Sequence, residues 1–120
     1  MGNQFSRRGA SDVSVEQLQE RLGSAEPVVV KFYAPWCGYC KRFAPEYDKF
    51  ADQASGHQVL KVNMDTASNK MALEKTEIAQ LVKGYPTVLY FKRSGAGHAV
   101  RVYGGERTAE AMLRTVDAEL

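Results

Sequence analysis

The run Val28-Val29-Val30-Lys31-Phe32-Tyr33 constrains this chain more than any other feature. Its residues are β-branched or aromatic and almost continuously apolar, the signature of a strand covered on both faces. Such a strand belongs in the middle of a sheet, so the rest of the chain must supply a layer above it and a layer below. With 120 residues, 44% hydrophobic and 25% charged, there is material for one core and not two. A mean hydropathy of -0.38 and the lack of any apolar run near the roughly 20 residues of a membrane helix exclude that class of protein. Lys31 is the anomaly in the strand.

The flanking pattern supplies the layers. Ser14 and Gln17 have capping-box spacing, and Val15, Leu18 and Leu22 follow as a helical stripe that ends at Gly23. From Cys37 to Ala54, the residues Tyr39, Phe43, Tyr47, Phe50, Ala51 and Ala54 recur at helical spacing and predict one inward aromatic face, with Pro45 kinking the helix. A strand is expected over Gln58 to Asn63, and a weaker helical stripe over Ala67 to Val82 runs through Met71, Ile78, Leu81 and Val82. Strands at Thr87 to Phe91 and Ala99 to Tyr103 are expected on either side of a loop over residues 92–98. Thr108 caps a last helix whose face is Ala109, Met112, Leu113, Val116 and Leu120. Helices between strands imply parallel crossovers and the closing hairpin an antiparallel edge. The expected fold is α/β, a central mixed β-sheet flanked by helices on both faces, with residues 1–11 as a flexible arm and 12–120 as the domain.

The only two cysteines, Cys37 and Cys40, lie three apart, where the buried strand gives way to a helix. A bond between them would close too small a loop to staple the fold, so they call for a chemical explanation. At a helix N-terminus, free backbone N–H groups and the helix dipole favour a thiolate at the first cysteine, which makes Cys37 the nucleophile. Cys40, one turn on, can attack a mixed disulfide held on Cys37 and release the partner reduced. A zinc site would need two further ligands, and His57 and His98 are remote from the pair and from each other's register, so no metal is expected. The charge balance, 16 basic against 14 acidic residues for a net +2, gives no basic patch for nucleic acid.

The segment Phe32 to Lys41, with Trp36, Gly38 and Tyr39 around the cysteines, followed by Ala44-Pro45-Glu46-Tyr47, resembles the active-site segment of a protein disulfide isomerase catalytic domain of the thioredoxin superfamily. The resemblance covers residues 12 to 120 and implies a thioredoxin-like fold and thiol-disulfide exchange on cysteine-containing proteins. It also implies a cis Tyr85-Pro86 bond in a loop, Tyr85-Pro86-Thr87, that faces the cysteines and binds substrate backbone, and it places Arg107 near the second cysteine to adjust its pKa. Trp36 is expected to shield the disulfide. No cofactor is implied, because the cysteine pair carries the electrons, and glutathione or a partner dithiol can restore it. Two positions depart from the family. Lys31 stands where a buried Glu or Asp usually exchanges a proton with the second cysteine, and is expected to snorkel to water or to titrate low enough to act as a neutral base. Tyr39 stands where isomerases have His, which should make the pair a weaker oxidant. Two other readings follow from these departures: a thioredoxin-like cytosolic disulfide reductase, and a membrane-tethered module that binds clients with weak catalysis.

The tether in that last reading comes from Met1-Gly2-Asn3-Gln4-Phe5-Ser6, which fits the N-myristoylation pattern with Gly2 as acceptor. Arg7 and Arg8 follow as a small basic second signal. No signal-peptide core precedes the domain. The expectation is therefore a monomer on the cytoplasmic side, held at a membrane by an acylated Gly2.

Overall fold

The computed structural model describes residues 9–120; the acylation pattern at Gly2 and the arginines Arg7 and Arg8 lie outside these residues. Five strands, β1 (Ser11–Asp12), β2 (Val28–Tyr33), β3 (Gln58–Asn63), β4 (Thr87–Ser94) and β5 (Gly97–Val102), and four helices, α1 (Val15–Arg21), α2 (Gly38–Gln53), α3 (Ala67–Glu74) and α4 (Ala109–Glu119), form it, with a 3-10 helix at Glu77–Leu81. The strand order is β1-β3-β2-β4-β5. β3 runs parallel to β1 and β2, while β4 is antiparallel to β2 and β5. This is the mixed sheet expected, with β2 at its centre.

Alternation along β2 builds the two layers. Val28, Val30 and Phe32 point to one face and pack with Val15 and Leu18 of α1 and Leu73 of α3. Val29 points to the other, where Phe43, Tyr47 and Phe50 of α2 meet Met112 and Val116 of α4. Each of these large apolar side chains contributes about 1.5–3 kcal/mol on burial, so both covering layers are strongly held. Helix α2 runs without interruption through Pro45. Its hydroxyl-bearing core residue, Tyr47, satisfies itself by donating to the Leu60 carbonyl at 2.7 Å.

Four sequence expectations need correction. The sheet starts earlier than residue 12: Ser11 pairs with Leu60, and the Gly9 N–H donates to Asp52 Oδ1 at 2.7 Å. Gly9 has φ +81 and a Cβ there would strike the Asp48 carboxylate, so glycine lets the chain enter against α2. The stripe over residues 67–82 is not one helix: α3 ends at Glu74, Lys75 and Thr76 separate it from the 3-10 helix, and Met71 points outward, 60% exposed. The hairpin is tighter than a loop over 92–98, because the strands pair as far as Ser94 with Gly97. Gly95, with φ +61, supplies the positive φ that a two-residue hairpin turn requires at its first central position. Finally Tyr39, expected on the inward face of α2, is 63% exposed, because the buried stripe of α2 begins at Cys40, three residues before Phe43, and leaves Tyr39 off that face.

Candidate active site

The site is assembled at the junction of β2 and α2. Cys37 is the N-cap of α2, and its Sγ accepts the Cys40 N–H at 3.2 Å. A sulfur in this position receives one of the N–H groups that the helix cannot satisfy internally. Its thiol in turn donates to the Tyr85 carbonyl at 3.5 Å. Both thiols are free and nearly covered, packed with Ala34, Tyr33 and Tyr85. The Tyr85-Pro86 bond is cis, as the resemblance implied, and the loop is tied by a Thr87 hydroxyl that donates to the Gly84 carbonyl at 2.6 Å. Trp36 is 64% exposed and meets the Tyr85 ring edge-on at 6.3 Å.

The electrostatics separate the two thiols. Cys37 is held below the usual thiol range, first by its hydrogen bond with the Cys40 thiol, then by the N–H groups of Cys40 and Tyr39 and by the charge of Arg107, with partial desolvation opposing. Cys40 is pushed up, first by burial and then by its bond to Cys37, with the Lys31 charge pulling the other way. The pair is therefore one ready nucleophile backed by one shielded thiol.

Lys31 does not reach water. It is 2% exposed, and its Nζ lies 4.8 Å from the Tyr47 ring centre and 5.4 Å from those of Tyr33 and Phe43. The snorkelling expectation fails because α2 lays its aromatic face across β2 and leaves the side chain no open route. Burial first, then the Lys61 charge, lower its pKa from 10.5 to about 8, against the opposing charges of Asp48, Cys40 and Asp12. Lys61 is its register partner on β3, which is why like charges meet here. Tyr33, at the edge of this cluster, donates to Asp12 Oδ2 at 2.9 Å, and burial together with that bond pushes its phenol up to about 12.

Arg107, which the resemblance placed near the second cysteine, stands against Tyr39, the residue before it. Its guanidinium is 6.0 Å from the Tyr39 ring, and its charge helps to hold the Cys37 thiol down. Arg42, which the sequence reading passed over, places its guanidinium 4.8 Å from the same ring. Its spacing from Tyr39, three residues along a helix, was the signal available for it. Arg42 Nη1 lies 3.7 Å from where a Gly38 Cβ would stand, an ordinary contact distance, so the site does not require glycine at 38. His57 and His98 are not part of the site: His57 faces the Ser55 carbonyl, and His98 packs edge-on against Phe91.

A dithiol on a helix N-cap, facing a cis-proline loop at the end of a central strand, defines a thioredoxin-type module. The thioredoxin family model matches residues 10–118, and the chain belongs to the thioredoxin family. It is 40% identical over 95 residues to protein disulfide-isomerase 1 of Caenorhabditis elegans, covering 78% of this chain and 18% of that protein. Against the protein disulfide-isomerase of Gallus gallus it is 41% identical over 100 residues, 80% of this chain and 18% of that one. The chain thus spans under a fifth of the length of these two relatives. Among solved structures, the Trx4 domain of ERdj5 superposes with a TM-score of 0.79 at 24% identity, over 94% of this chain and 96% of that domain, a likeness of fold.

Proposed function

We propose that the chain is a protein disulfide isomerase-like thiol-disulfide oxidoreductase that acts on cysteine-containing proteins. The observation that carries this reading is the Cys37 sulfur on the α2 N-cap, bonded to the Cys40 N–H. In the reductive direction the Cys37 thiolate attacks one sulfur of a substrate disulfide, forming a Cys37 mixed disulfide and expelling the other substrate sulfur as thiolate. Cys40, having lost its proton to solvent or a nearby base, then attacks Cys37 Sγ. The Cys37-Cys40 disulfide forms, the second substrate thiolate leaves, and two electrons have passed from the dithiol to the substrate. Run backwards, the same steps oxidise a substrate dithiol. Tyr85 borders Cys37 through its carbonyl, and the loop Tyr85-Pro86-Thr87 would hold the substrate chain there. No cofactor is needed, and glutathione is the proposed redox partner.

The test is to mix reduced protein with glutathione disulfide, quench with acid and read intact masses. Cys40→Ser should accumulate glutathione on Cys37, and Cys37→Ser should accumulate none. Equal adduct in both variants, or none in either, would overturn the assignment. Tyr39 favours a second reading in direction only, a cytosolic reductase with a more reducing pair, since a phenol offers no imidazolium to support the thiolate. The Cys37-Cys40 equilibrium against glutathione separates the two: a thioredoxin-like potential lies near about -270 mV and an isomerase-like one near about -180 mV. Lys31, in place of a buried acid, favours the client-binding reading, which retained client binding by the double Ser variant would support.

The arm extends the proposal to a membrane. Gly2 in Met1-Gly2-Asn3-Gln4-Phe5-Ser6 is the proposed myristoyl acceptor, with Arg7 and Arg8 adding attraction to anionic lipid at about 1 kcal/mol each. That would convert the marginal hold of one acyl chain into a moderate one on the cytoplasmic face. Intact mass after expression in a eukaryotic cell should show the acyl group and Gly2→Ala should lose it; an unacylated wild type would refute the tether.

A further inference from the structure

Exchange at Cys37 does not account for the charge gathered around it. Tyr39, between the cysteines and exposed, has the Arg42 guanidinium 4.8 Å and the Arg107 guanidinium 6.0 Å from its ring centre. Lys41 follows Cys40 on the surface. Arg42 is exposed on the first turn of α2, with its Nη1 3.7 Å from where a Gly38 Cβ would stand, so its charge is open to a partner that docks at this turn. Neither arginine is in an ion pair: among the described residues the ion pairs are Lys49 with Glu46 and Arg114 with Glu110. A guanidinium stacked on an aromatic face is oriented by it and keeps its N–H edge free for a carboxylate.

We propose that the Tyr39-Arg42-Arg107 rim selects disulfide partners that carry an Asp or Glu next to the reacting cysteine. The inference rests on the oxidoreductase reading and names its preferred substrate class. Both guanidinium groups face the ring of Tyr39, two residues from Cys37, so a carboxylate next to the attacked sulfur would meet this rim once that sulfur reaches Cys37. Trp36 and Tyr85, in edge-on contact, offer apolar surface on the same rim and add no charge preference.

The test uses the full chain, reduced, and two peptide disulfides that differ only in Asp or Asn flanking the cysteine. Each rate is divided by that of the same peptide with dithiothreitol, which cancels the effect of Asp on the peptide thiol itself. The acidic peptide should then be preferred about three- to ten-fold at low ionic strength, the range of one or two exposed ion pairs, with the ratio approaching one near ~1 M salt. Arg42→Gln with Arg107→Gln should bring the ratio to one at low salt, and Arg42→Glu with Arg107→Glu should favour a Lys-flanked peptide instead. Equal normalised rates in the wild type, or a preference that survives the double Gln variant, would overturn the inference alone. Failure of the wild type to exchange with either peptide would overturn the oxidoreductase reading and this inference with it.

Discussion

Lys31→Met isolates the cost of burying an ammonium in the middle of the sheet. Methionine keeps the length and apolar stem of lysine, and the position is 2% exposed among the rings of Tyr33, Phe43 and Tyr47. The fall of the lysine pKa from 10.5 to about 8 is equivalent to about 3 kcal/mol of folding free energy while the group is charged. Loss of the ammonium-ring contacts, at about 0.5–2 kcal/mol, offsets part of the gain, so Lys31→Met should be about 1–2 kcal/mol more stable than the parent near neutral pH. The sign of the pH dependence follows from the same linkage. Between about 8 and 10.5 the unfolded chain holds a proton that the folded chain has released, so the parent gains stability across this window. The advantage of the variant is therefore full below about pH 8 and fades towards pH 10.5. Urea unfolding of both proteins in a Cys37→Ser, Cys40→Ser background removes thiol titration from that range. A variant less stable than its parent at neutral pH, or an advantage that stays flat to pH 10.5, would refute the reasoning.

Asn69→Ala should destabilise the fold by about 2–4 kcal/mol in the same unfolding assay, because Asn69 accepts the Val15 N–H at 3.1 Å and donates to the Asn63 carbonyl at 2.9 Å, leaving two backbone groups unpaired when it goes. Arg107→Gln should raise the Cys37 pKa and slow its alkylation at neutral pH, since the guanidinium charge supports that thiolate; an unchanged rate profile would remove Arg107 from the site. Lys31→Glu should speed release of the Cys37 mixed disulfide, read by rapid acid quench, because a carboxylate near Cys40 can take its proton; an unchanged release rate would contradict this.

What the sequence made legible was the part that local chemistry decides. The α2 boundaries and its buried Phe43, Tyr47 and Phe50, the capped starts of α1 and α4, and the position of Cys37 follow from side-chain periodicity and capping, which act within a few residues. The failures share a different cause. β1 has two exposed residues and no pattern, and exists because the β3 edge pairs with it. The turn end of β4, Lys92 to Ser94, is polar because both its faces meet solvent there, so it reads as loop although it pairs with β5 to the turn. Lys31 is covered by a helix that begins seven residues later, and nothing in its own strand shows whether a route to water survives. Arg107 approaches from the segment before α4 and meets Tyr39, a contact across the fold that local spacing does not encode.

The central claim is that the fold makes Cys37 the attacking thiolate and Cys40 the resolving thiol. The most direct measurement is the pH dependence of alkylation at each cysteine of the reduced protein, followed by peptide mass spectrometry. The account predicts that Cys37 reacts first, with its midpoint below that of an ordinary thiol, while Cys40 stays unmodified until higher pH. Faster modification of Cys40, or a Cys37 midpoint at or above the ordinary thiol value, would contradict it.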